Sequence, residues 1–196
     1  MGMAKGMANE LGASADAGRG RGLVIVFTGD GKGKTTAALG MALRAVGHGM
    51  AVKVIQLIKG GWRTGEAEAA RRLAPDLEIV QAGRGFTHGI PNRRGATRDE
   101  HVAAATAALA MAREAMESRR YQMLVLDEAL YAIRDRLISV GDVLALIAEK
   151  PPSLHLVLTG RNAPPEIVEA ADLVTEMREV KHPLGEGISA QRGIEF

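Results

Sequence analysis

A strand that runs into a glycine- and lysine-rich turn, and then into a helix, is the feature that most constrains this chain. The apolar run Leu23–Thr28 is predicted to form a buried strand, and Gly33–Val46 the helix after the turn. Glycines let the backbone curl so that successive N–H groups point at phosphate oxygens. The helix N-terminus adds its partial positive charge at the same place. The segment therefore predicts a loop that binds a polyphosphate.

The turn and the first helical turn supply the candidate binding residues. These are Gly29, Asp30, Gly31, Lys32, Gly33, Lys34, Thr35 and Thr36. Lys34 is expected to neutralise phosphate, and the hydroxyl of Thr35 to ligate Mg²⁺. The usual motif has a glycine five positions before Gly33, but Thr28 stands there, so the loop is one residue tighter. The alternative is a glycine turn with incidental lysines.

Short apolar runs alternate with longer helical patterns along the rest of the chain. Further strands are predicted at Ala51–Ile58, Leu77–Gln81, Gln122–Asp127 and Leu154–Thr159, with two more near an edge at Asp172–Met177 and Gly187–Ala190. Further helices are predicted after the N-cap Thr97, at Val140–Glu149, and from Pro164 to Ala171. Near-continuous apolar strands are typical of a parallel sheet covered by helices on both faces. We therefore expect a three-layer α/β domain with a mostly parallel central sheet.

One domain accounts for nearly all of the 196 residues. We assign residues 23–196 to it, and residues 1–22, which are rich in glycine and alanine, to a mobile N-terminal tail. The tail lacks the continuous apolar stretch of a secretory signal, and no apolar run is long enough to span a bilayer. These features predict a cytoplasmic protein that does not act in a membrane.

Composition excludes several functional classes. The chain has no cysteine, which rules out disulfides, thiolate metal sites, iron–sulfur clusters and cysteine nucleophiles. Its formal charge is only +2, from 25 basic and 23 acidic residues, and aromatic residues make up 3% of the chain. An even charge balance and few aromatic rings argue against nucleic acid as a partner.

Two adjacent carboxylates stand at the end of the predicted strand Gln122–Asp127. Asp127 closes that strand and Glu128 follows it. An acid at the carboxyl edge of a parallel sheet is a common ligand of Mg²⁺, which also binds water and phosphate. Thr35 with Asp127 or Glu128 would complete such a site, and the sequence leaves open which acid contacts the metal. A solvated acidic turn is the alternative.

Three further residues are candidates for ligand contacts. Arg161 follows a predicted strand and would bring a guanidinium to phosphate, unless it is an ordinary surface arginine. Trp62 lies in a polar loop after another strand, where it would contact a ligand or cover the core. His88 has no second histidine at ligand spacing, which favours a hydrogen-bonded loop residue. His88 belongs to the irregular stretch 84–96, and long loops of this kind are often functional.

These pieces, in this order, resemble one family: the cob(I)alamin (corrinoid) adenosyltransferases of the RecA-like P-loop type. The matching segments are residues 28–38, 44–49, 56–62, 65–66, 85–87, 92–93, 126–128, 159–161, 171–176, 181–182 and 190–196. They extend over nearly all of the chain beyond the tail. The tight phosphate loop is a trait of the family, and the closing run Ala190–Phe196 is highly specific to it. The resemblance implies a RecA-like fold.

The resemblance also implies a reaction. Members of the family transfer the 5′-deoxyadenosyl group of ATP to cobalt(I) in a reduced corrinoid and release triphosphate. Backbone amides, Lys34 and Mg²⁺ would stabilise the charge that builds on the departing triphosphate. No general base is required, because the nucleophile is a metal that carries no proton. The sequence agrees, since it offers no Ser/His/Asp or paired-carboxylate pattern.

The functional residues of the family carry over onto matching positions of this chain. Lys34, Thr35 and Glu128 would be the catalytic residues, with Thr35 and Glu128 as the Mg²⁺ ligands. The residues that would contact the nucleotide or the corrinoid beyond the phosphate loop are Trp62, Phe86, His88, Arg93 and Arg161. Phe86 lies in the loop that packs beneath the corrin, where the family usually has Gly-Phe-Thr-Trp and this chain has His88 in place of tryptophan. The resemblance further implies a homodimer and an electron-donating flavoprotein reductase.

Two other functions stay open on the sequence alone. A RecA-like phosphotransferase or ATPase would cleave the β–γ bond of ATP, with a carboxylate acting on water or a hydroxyl. A carrier would bind ATP and a corrinoid without turnover. The identity of the nucleotide product distinguishes these functions from adenosyl transfer.

Overall fold

The computed structural model describes residues 20–61, 63–85 and 96–195, which fold around a six-stranded sheet. The strands are β1 (Val24–Thr28), β2 (Val52–Gln56), β3 (Leu77–Gln81), β4 (Met123–Asp127), β5 (His155–Thr159) and β6 (Leu173–Glu176). Their order across the sheet is β3-β2-β4-β5-β1-β6, and all neighbouring strands run parallel. The predicted parallel sheet is confirmed.

Six α-helices of the described residues cover the two faces of the sheet. They are α1 (Lys34–Gly47), α2 (Gly65–Arg72), α3 (Arg98–Glu117), α4 (Ala129–Arg134), α5 (Val140–Glu149) and α6 (Pro165–Ala170), and a short 3₁₀ helix follows at Pro183–Glu186. On one face, Ala38 and Ala42 of α1 pack with Val125 of the sheet. On the other face, helices α3, α5 and α6 pack on Leu124 and Leu126 of the same strand. Helices on both faces of a buried sheet make the three-layer α/β domain that the sequence predicts.

Most predicted strands and helices are present, with differences of one or two residues at their ends. The capping box of Thr97 and Glu100 at the start of α3 is confirmed. The strand predicted at Gly187–Ala190 is wrong, because this exposed segment forms a turn and irregular chain. The patterns do not predict α2 or α4. Helix α2 buries only Ala70 and so has no apolar periodicity, and α4 has only six residues.

The carboxyl ends of the strands position the candidate site. At this edge, β1 leads into the phosphate loop, β2 into residues 57–64, β4 into Glu128 and β5 into Gly160. After β1 the chain crosses the sheet to form β2 and the edge strand β3, and it then returns through β4 and β5. As a result, β5 lies between β4 and β1. Ligands of open parallel sheets bind in the crevice that such a reversal of direction opens.

The N-terminal tail predicted at residues 1–22 falls largely outside the described residues, which begin at Gly20. The last residue of that segment, Gly22, donates its N–H to the carbonyl of Pro152 at 2.7 Å. Among the helices that the structure describes, none is long and apolar enough to cross a membrane.

Candidate active site

A cavity of about 500 Å³ opens at the carboxyl edge of the sheet, next to the phosphate loop. Of the predicted site residues, Asp30–Thr36, Glu128 and Arg161 line it. Lys59 and Glu66, which follow β2 in the chain, also line it. The fold therefore gathers residues from four separate strand ends around one cavity.

The phosphate loop has a tight shape because its glycines pack on the chain that follows β6. Gly29 and Gly33 have φ angles of 94° and 118°, which residues with a side chain rarely adopt. The N–H of Gly31 donates to the carbonyl of Met177 at 2.7 Å. A Cβ atom on Gly29 would overlap that same carbonyl oxygen. The backbone of the loop is thus held in a curl that leaves no room for a side chain at its start.

Thr28, which stands where the usual motif has a glycine, belongs to the strand and not to the loop. It pairs with Glu176 as the last residue of β1. Its Oγ1 accepts the N–H of Ala163 at 3.1 Å, which connects β1 to the segment after β5. The loop therefore begins one residue later than in the usual motif, at Gly29.

Lys34 lies over the loop with its ammonium bound to backbone carbonyls. Its Nζ donates to the carbonyl oxygens of Gly29 and Gly31, both at 2.6 Å. Burial lowers the pKa of Lys34, the nearby charge of Arg161 lowers it further, and Asp30 opposes the change. An anion in the loop would favour the charged form of Lys34 and offset its repulsion by Arg161, so the site suits phosphate electrostatically.

Asp127 is fully buried at the end of β4, and both of its carboxylate oxygens accept hydrogen bonds. Oδ1 accepts the hydroxyls of Thr35 at 2.8 Å and Thr159 at 2.7 Å. Oδ2 accepts Nε2 of Gln56 at 3.1 Å and lies 3.7 Å from Nζ of Lys59. The carboxylate thus orients the side chain of Thr35, and both of its oxygens are already engaged by protein groups.

Glu128 is also buried, but its Oε2 has no hydrogen-bond partner among the described residues. Its backbone adopts the left-handed conformation (φ 64°), and its N–H donates to Oγ1 of Thr159 at 2.9 Å. Burial and then the charge of Asp127 raise the pKa of Glu128 to about 7, although Lys59 opposes the rise. An unpartnered carboxylate oxygen in the wall of the cavity is suited to receive a cation.

A network in the cavity wall links Lys59, Glu66 and Gln56, to which the sequence patterns assign no role. Nζ of Lys59 donates to Oε1 of Glu66 at 3.1 Å, and Nε2 of Gln56 lies 3.3 Å from the same oxygen. Burial acts against the charged form of Lys59, but the carboxylates of Asp127 and Glu66 together raise its pKa. One signal in the sequence points to these residues: all three belong to the family-matching segments 56–62 and 65–66.

Arg161 follows β5 and lines the cavity beside the phosphate loop. Its Nε lies 3.9 Å from Oδ1 of Asp30, so it is held near the loop by opposite charge. The structure therefore brings this predicted phosphate contact together with Lys34. The other predicted contacts, Trp62, Phe86, His88 and Arg93, lie outside the described residues.

The C-terminal segment contributes a part of the cavity wall that no pattern predicts. His182, Gly193, Ile194 and Glu195 line the cavity. Nδ1 of His182 accepts the N–H of Leu184 at 3.1 Å, so Nε2 carries the proton of the neutral ring. The family-specific run at Ala190–Phe196 is the sequence signal that points to this wall.

The cavity offers a small donor set for a metal ion. No group of three or more His, Asp or Glu side chains within the described ranges is arranged to hold one. Thr35 and Glu128 offer one hydroxyl and one carboxylate in the same cavity. This set suits Mg²⁺ shared between protein, water and phosphate better than a cation enclosed by protein ligands.

Comparison with known proteins identifies relatives over most of the chain. Residues 20–196 match the family described as ATP:corrinoid adenosyltransferase BtuR/CobO/CobP. A Sinorhizobium protein named corrinoid adenosyltransferase is 43% identical over 164 residues, which cover 83% of this chain and 74% of that protein. A Pseudomonas aeruginosa protein of the same name is 42% identical over 162 residues, which cover 83% of this chain and 77% of that protein.

Solved structures give a more distant likeness. The crystal structure of a KaiC-like protein from Pyrococcus horikoshii aligns with a TM-score of 0.48 and 18% identity, covering 82% of this chain and 75% of that one. We base the family assignment on the sequence matches alone. They span the phosphate loop, the acidic pair and the C-terminal run. The chain therefore belongs to the ATP:corrinoid adenosyltransferase family BtuR/CobO/CobP.

Proposed function

We propose that this chain transfers the 5′-deoxyadenosyl group of ATP to the cobalt of a reduced corrinoid and releases inorganic triphosphate. One structural observation carries the proposal: among the described residues, four cationic side chains line a single cavity around the glycine loop. They are Lys32, Lys34, Lys59 and Arg161. Such a cavity suits a triphosphate that becomes the leaving group. Membership of the family supplies the second substrate, the corrinoid.

In the proposed reaction, the protein positions the C5′–O5′ bond of ATP for attack and stabilises the negative charge of the departing triphosphate. Cobalt(I) of the substrate donates an electron pair to C5′, and the pair of the C5′–O5′ bond stays on the oxygen of the departing triphosphate. The backbone amides of the phosphate loop and Lys34 are positioned to stabilise that charge. No proton is removed from the nucleophile, so no side chain has to act as a base.

The topology supports one direction for ATP in the cavity. The segments that hold Trp62 and Phe86, the proposed corrinoid contacts, follow β2 and β3 at one end of the sheet. Arg161 follows β5, on the other side of β4. Cobalt would then approach from the β2 side. The ribose end of ATP would face Lys59, and its terminal phosphate would face Arg161.

Mg²⁺ fits the proposed site through Thr35 and Glu128. Glu128 offers Oε2, which is buried and has no partner among the described residues, and Thr35 lines the same cavity. Both oxygens of Asp127 are engaged by other residues, so we assign it the role of orienting Thr35. When bound, Mg²⁺ neutralises charge on the phosphate oxygens and fixes their geometry.

The corrinoid contacts that we propose are Trp62, Phe86, His88 and Arg93, all outside the described residues. Phe86 would pack beneath the corrin, as the family resemblance implies. His88 replaces the tryptophan that is usual in the family. An imidazole is smaller and more polar than an indole, so we expect the lower face of the corrin to be less apolar in this protein.

The proposal includes partners for the protein. Cobalt(I) has to be generated by an electron donor, and we assign this role to a flavoprotein reductase in the cytoplasm. We also propose a homodimer. Leu173 and Val174 on the edge strand β6 and Ile188 beyond it are exposed apolar residues, which supports an interface on this side of the domain.

A second candidate function draws on Glu128. Its pKa of about 7 is in the range that suits a general base, which an ATPase or phosphotransferase cleaving the β–γ bond would need. The relatives named corrinoid adenosyltransferase favour adenosyl transfer over this alternative. No feature of the cavity specifically supports the third function, a carrier that binds ATP and a corrinoid without turnover.

Product analysis tests the proposed function. Purified protein is incubated with ATP, Mg²⁺ and cobalamin that has been chemically reduced to cobalt(I). Adenosylcobalamin and triphosphate in equal amounts are the expected products. ADP and phosphate as the only nucleotide products would support the ATPase instead, and binding of both substrates without products would support a carrier. Repeating the assay with several corrinoids defines the preferred substrate.

A further inference from the structure

Lys59 is a partly buried cation in the cavity wall at the β2 end. Its side chain is only 17% exposed, and it follows β2 by three residues. Its Nζ lies 3.1 Å from Glu66 Oε1 and 3.7 Å from Asp127 Oδ2. The charge of Lys59 also acts to lower the pKa of the nearby carboxyl of Glu128. Lys59 thus contacts Glu66 and Asp127 and acts electrostatically on Glu128, the proposed metal ligand.

The ammonium of Lys59 has more donors than its protein partners use. An ammonium carries three N–H groups. One donates to Glu66, and no second hydrogen bond from Nζ is found in the part of the chain that the structure describes. Since the side chain lines the cavity and is mostly withdrawn from water, its remaining donors are available to an anionic ligand there.

We propose that Lys59 is a catalytic residue whose ammonium binds the phosphate oxygens nearest the ribose and stabilises the charge left on O5′ as the C5′–O5′ bond breaks. This inference rests on the proposed function, which puts the ribose end of ATP at the β2 side of the cavity. Lys32 and Lys34 belong to the phosphate loop and its first helical turn, and Arg161 lies on the β5 side. Among the cationic side chains that line the cavity, Lys59 is therefore the one beside the bond that breaks.

The electron balance of the step defines what Lys59 has to do. A low-potential reductant first brings the corrinoid to cobalt(I), outside this step. Cobalt then donates two electrons to C5′ and becomes formally cobalt(III), while the electron pair of the C5′–O5′ bond moves to O5′. O5′ becomes a terminal phosphate oxygen and gains negative charge. An ammonium that already points into the cavity lowers the barrier without giving up a proton.

Glu66 is the positioning residue for this ammonium. Its carboxylate accepts from Lys59 and from Gln56. Burial acts to raise the pKa of Glu66, but the hydrogen bond from its own backbone N–H, and then Lys59 and Gln56, lower it overall. The carboxylate is therefore ionised at neutral pH. It holds Lys59 at the start of helix α2, so the ammonium does not have to be ordered when ATP binds.

The competing interpretation makes Lys59 a structural counter-ion of Asp127. In that case its loss would weaken folding or Mg²⁺-ATP binding, and saturating ATP would restore the rate. A catalytic Lys59 instead changes the rate of the chemical step at saturating ATP. The two interpretations therefore predict different measurements for the same variants.

The test compares Lys59→Met with Lys53→Met. Lys53 lies on β2, its side chain is 16% exposed, it pairs with Glu78 at 2.8 Å, and it is not among the residues that line the cavity. Each variant is mixed with cob(I)alamin made by titanium(III) citrate and with saturating Mg²⁺-ATP, and adenosylcobalamin formation is followed in a single turnover. Melting temperature and the Kd of ATP by calorimetry are measured in parallel.

We expect Lys59→Met to slow the single turnover about 100-fold, as for loss of one donor to a developing oxyanion, with the Kd of ATP changed less than about fivefold. Lys53→Met should react like the wild type. Ethylammonium should restore part of the rate of Lys59→Ala and none of the rate of a Lys34→Ala variant. A Lys59→Met rate within threefold of wild type, or a loss that saturating ATP removes, would overturn the inference.

Two further results separate failure of this inference from failure of the proposed function. If the wild type itself forms no adenosylcobalamin, the proposed function fails, whatever Lys59 does. If Lys59→Met does not fold, the variant Glu66→Gln provides the test in its place. We expect Glu66→Gln to react about tenfold slower than the wild type at saturating ATP, with an unchanged Kd for ATP. An unchanged single-turnover rate for a folded Glu66→Gln would overturn the inference.

Discussion

The hydroxyl of Thr35 and the carboxylate of Asp127 are 2.8 Å apart, which joins the first turn of α1 to the end of β4. The same carboxylate oxygen accepts the hydroxyl of Thr159 at 2.7 Å, and that hydroxyl accepts the N–H of Glu128 at 2.9 Å. Because Thr35 gives its only hydroxyl hydrogen to Asp127, its oxygen lone pairs remain for a cation in the cavity. In the proposed site, this buried carboxylate orients Thr35 directly and is linked to Glu128 through Thr159, without itself binding Mg²⁺.

Asp127→Asn should lower both the stability of the protein and its Mg²⁺-dependent affinity for ATP. An amide nitrogen cannot accept from Gln56 or from the two threonines, so at least one buried donor loses its acceptor. We expect the free energy of unfolding to fall by about 2–3 kcal/mol, and ATP affinity in Mg²⁺ to fall about tenfold. Urea denaturation and calorimetry measure these quantities. Asp99→Asn, in the first turn of α3, is the control and should change neither.

Glu128→Gln should stabilise the ligand-free protein at alkaline pH. The carboxyl binds its proton more tightly in the folded protein, with a pKa of about 7 against an ordinary value of 4.5. Its contribution to stability is therefore full below pH 4.5 and is lost as the pH rises to about 7. The loss is on the order of 3 kcal/mol. The variant should lack this pH dependence in denaturation at pH 5 and pH 8, whereas the exposed control Glu117→Gln should keep it.

The same substitution should weaken Mg²⁺-ATP binding, and the wild type should bind Mg²⁺-ATP less tightly below pH 7. The ion requires the ionised carboxylate, so binding releases about half a proton at pH 7 and close to one proton at pH 6. Calorimetry in buffers with different ionisation enthalpies counts that proton. Equal proton release by wild type and Glu128→Gln would contradict the assignment of Glu128 as the Mg²⁺ ligand.

Lys34→Ala should bind ATP much more weakly and keep the fold. Lys34 bonds only backbone carbonyls of the loop, and its lowered pKa shows that burial of its charge is unfavourable in the ligand-free protein. We expect ATP affinity to fall about 10–100-fold, the effect of removing a charged hydrogen-bond donor, with little change in melting temperature. Lys32→Ala removes an exposed lysine of the same loop and should have a smaller effect. Equal losses for the two variants would contradict the geometry of the loop.

Gly29→Ala and Gly40→Ala should have opposite effects on stability. Gly29 has a φ of 94°, and a Cβ there would overlap the carbonyl of Met177, so alanine forces the phosphate loop to move. Gly40 lies within α1, where a Cβ would meet nothing within 4 Å. Gly29→Ala should therefore lower the melting temperature and reduce ATP binding. Gly40→Ala should stabilise the protein by about 0.5–1 kcal/mol and bind ATP normally. Stabilisation by both substitutions would show that the loop is less constrained than described.

The sheet was predictable from the sequence largely because its interior strands are buried on both faces. Every residue of β1 and β4 is buried, and such runs read directly as interior parallel strands. Edge strand β6 is exposed along its whole length and still pairs with β1, so its apolar residues were enough to indicate it. The segment Gly187–Ala190 has a similar apolar content but no neighbouring strand, and it remains irregular. Local composition does not distinguish these two cases.

The candidate site was predictable only where neighbouring residues in the chain carry the chemistry. The phosphate loop and the acidic pair are continuous motifs, so both stand out in the sequence. Gln56 and Thr159, which belong to other strands, occupy the carboxylate oxygens of Asp127. For this reason Glu128, and not Asp127, has a carboxylate oxygen without a hydrogen-bond partner among the described residues. Lys59 and Glu66 are joined by a hydrogen bond across the loop between β2 and α2. Helix α2 itself has no apolar pattern from which the sequence could predict it. These relationships require the three-dimensional order of the strands.

The position of bond cleavage in ATP distinguishes adenosyl transfer from hydrolysis of the β–γ bond. ATP that carries ¹⁸O in the bridge between C5′ and the first phosphate is incubated with the protein, Mg²⁺ and cob(I)alamin, and the products are analysed by mass spectrometry. We expect adenosylcobalamin together with triphosphate that retains the label, because the C5′–O5′ bond breaks. Recovery of the label in ADP, with no label in triphosphate, would contradict adenosyl transfer.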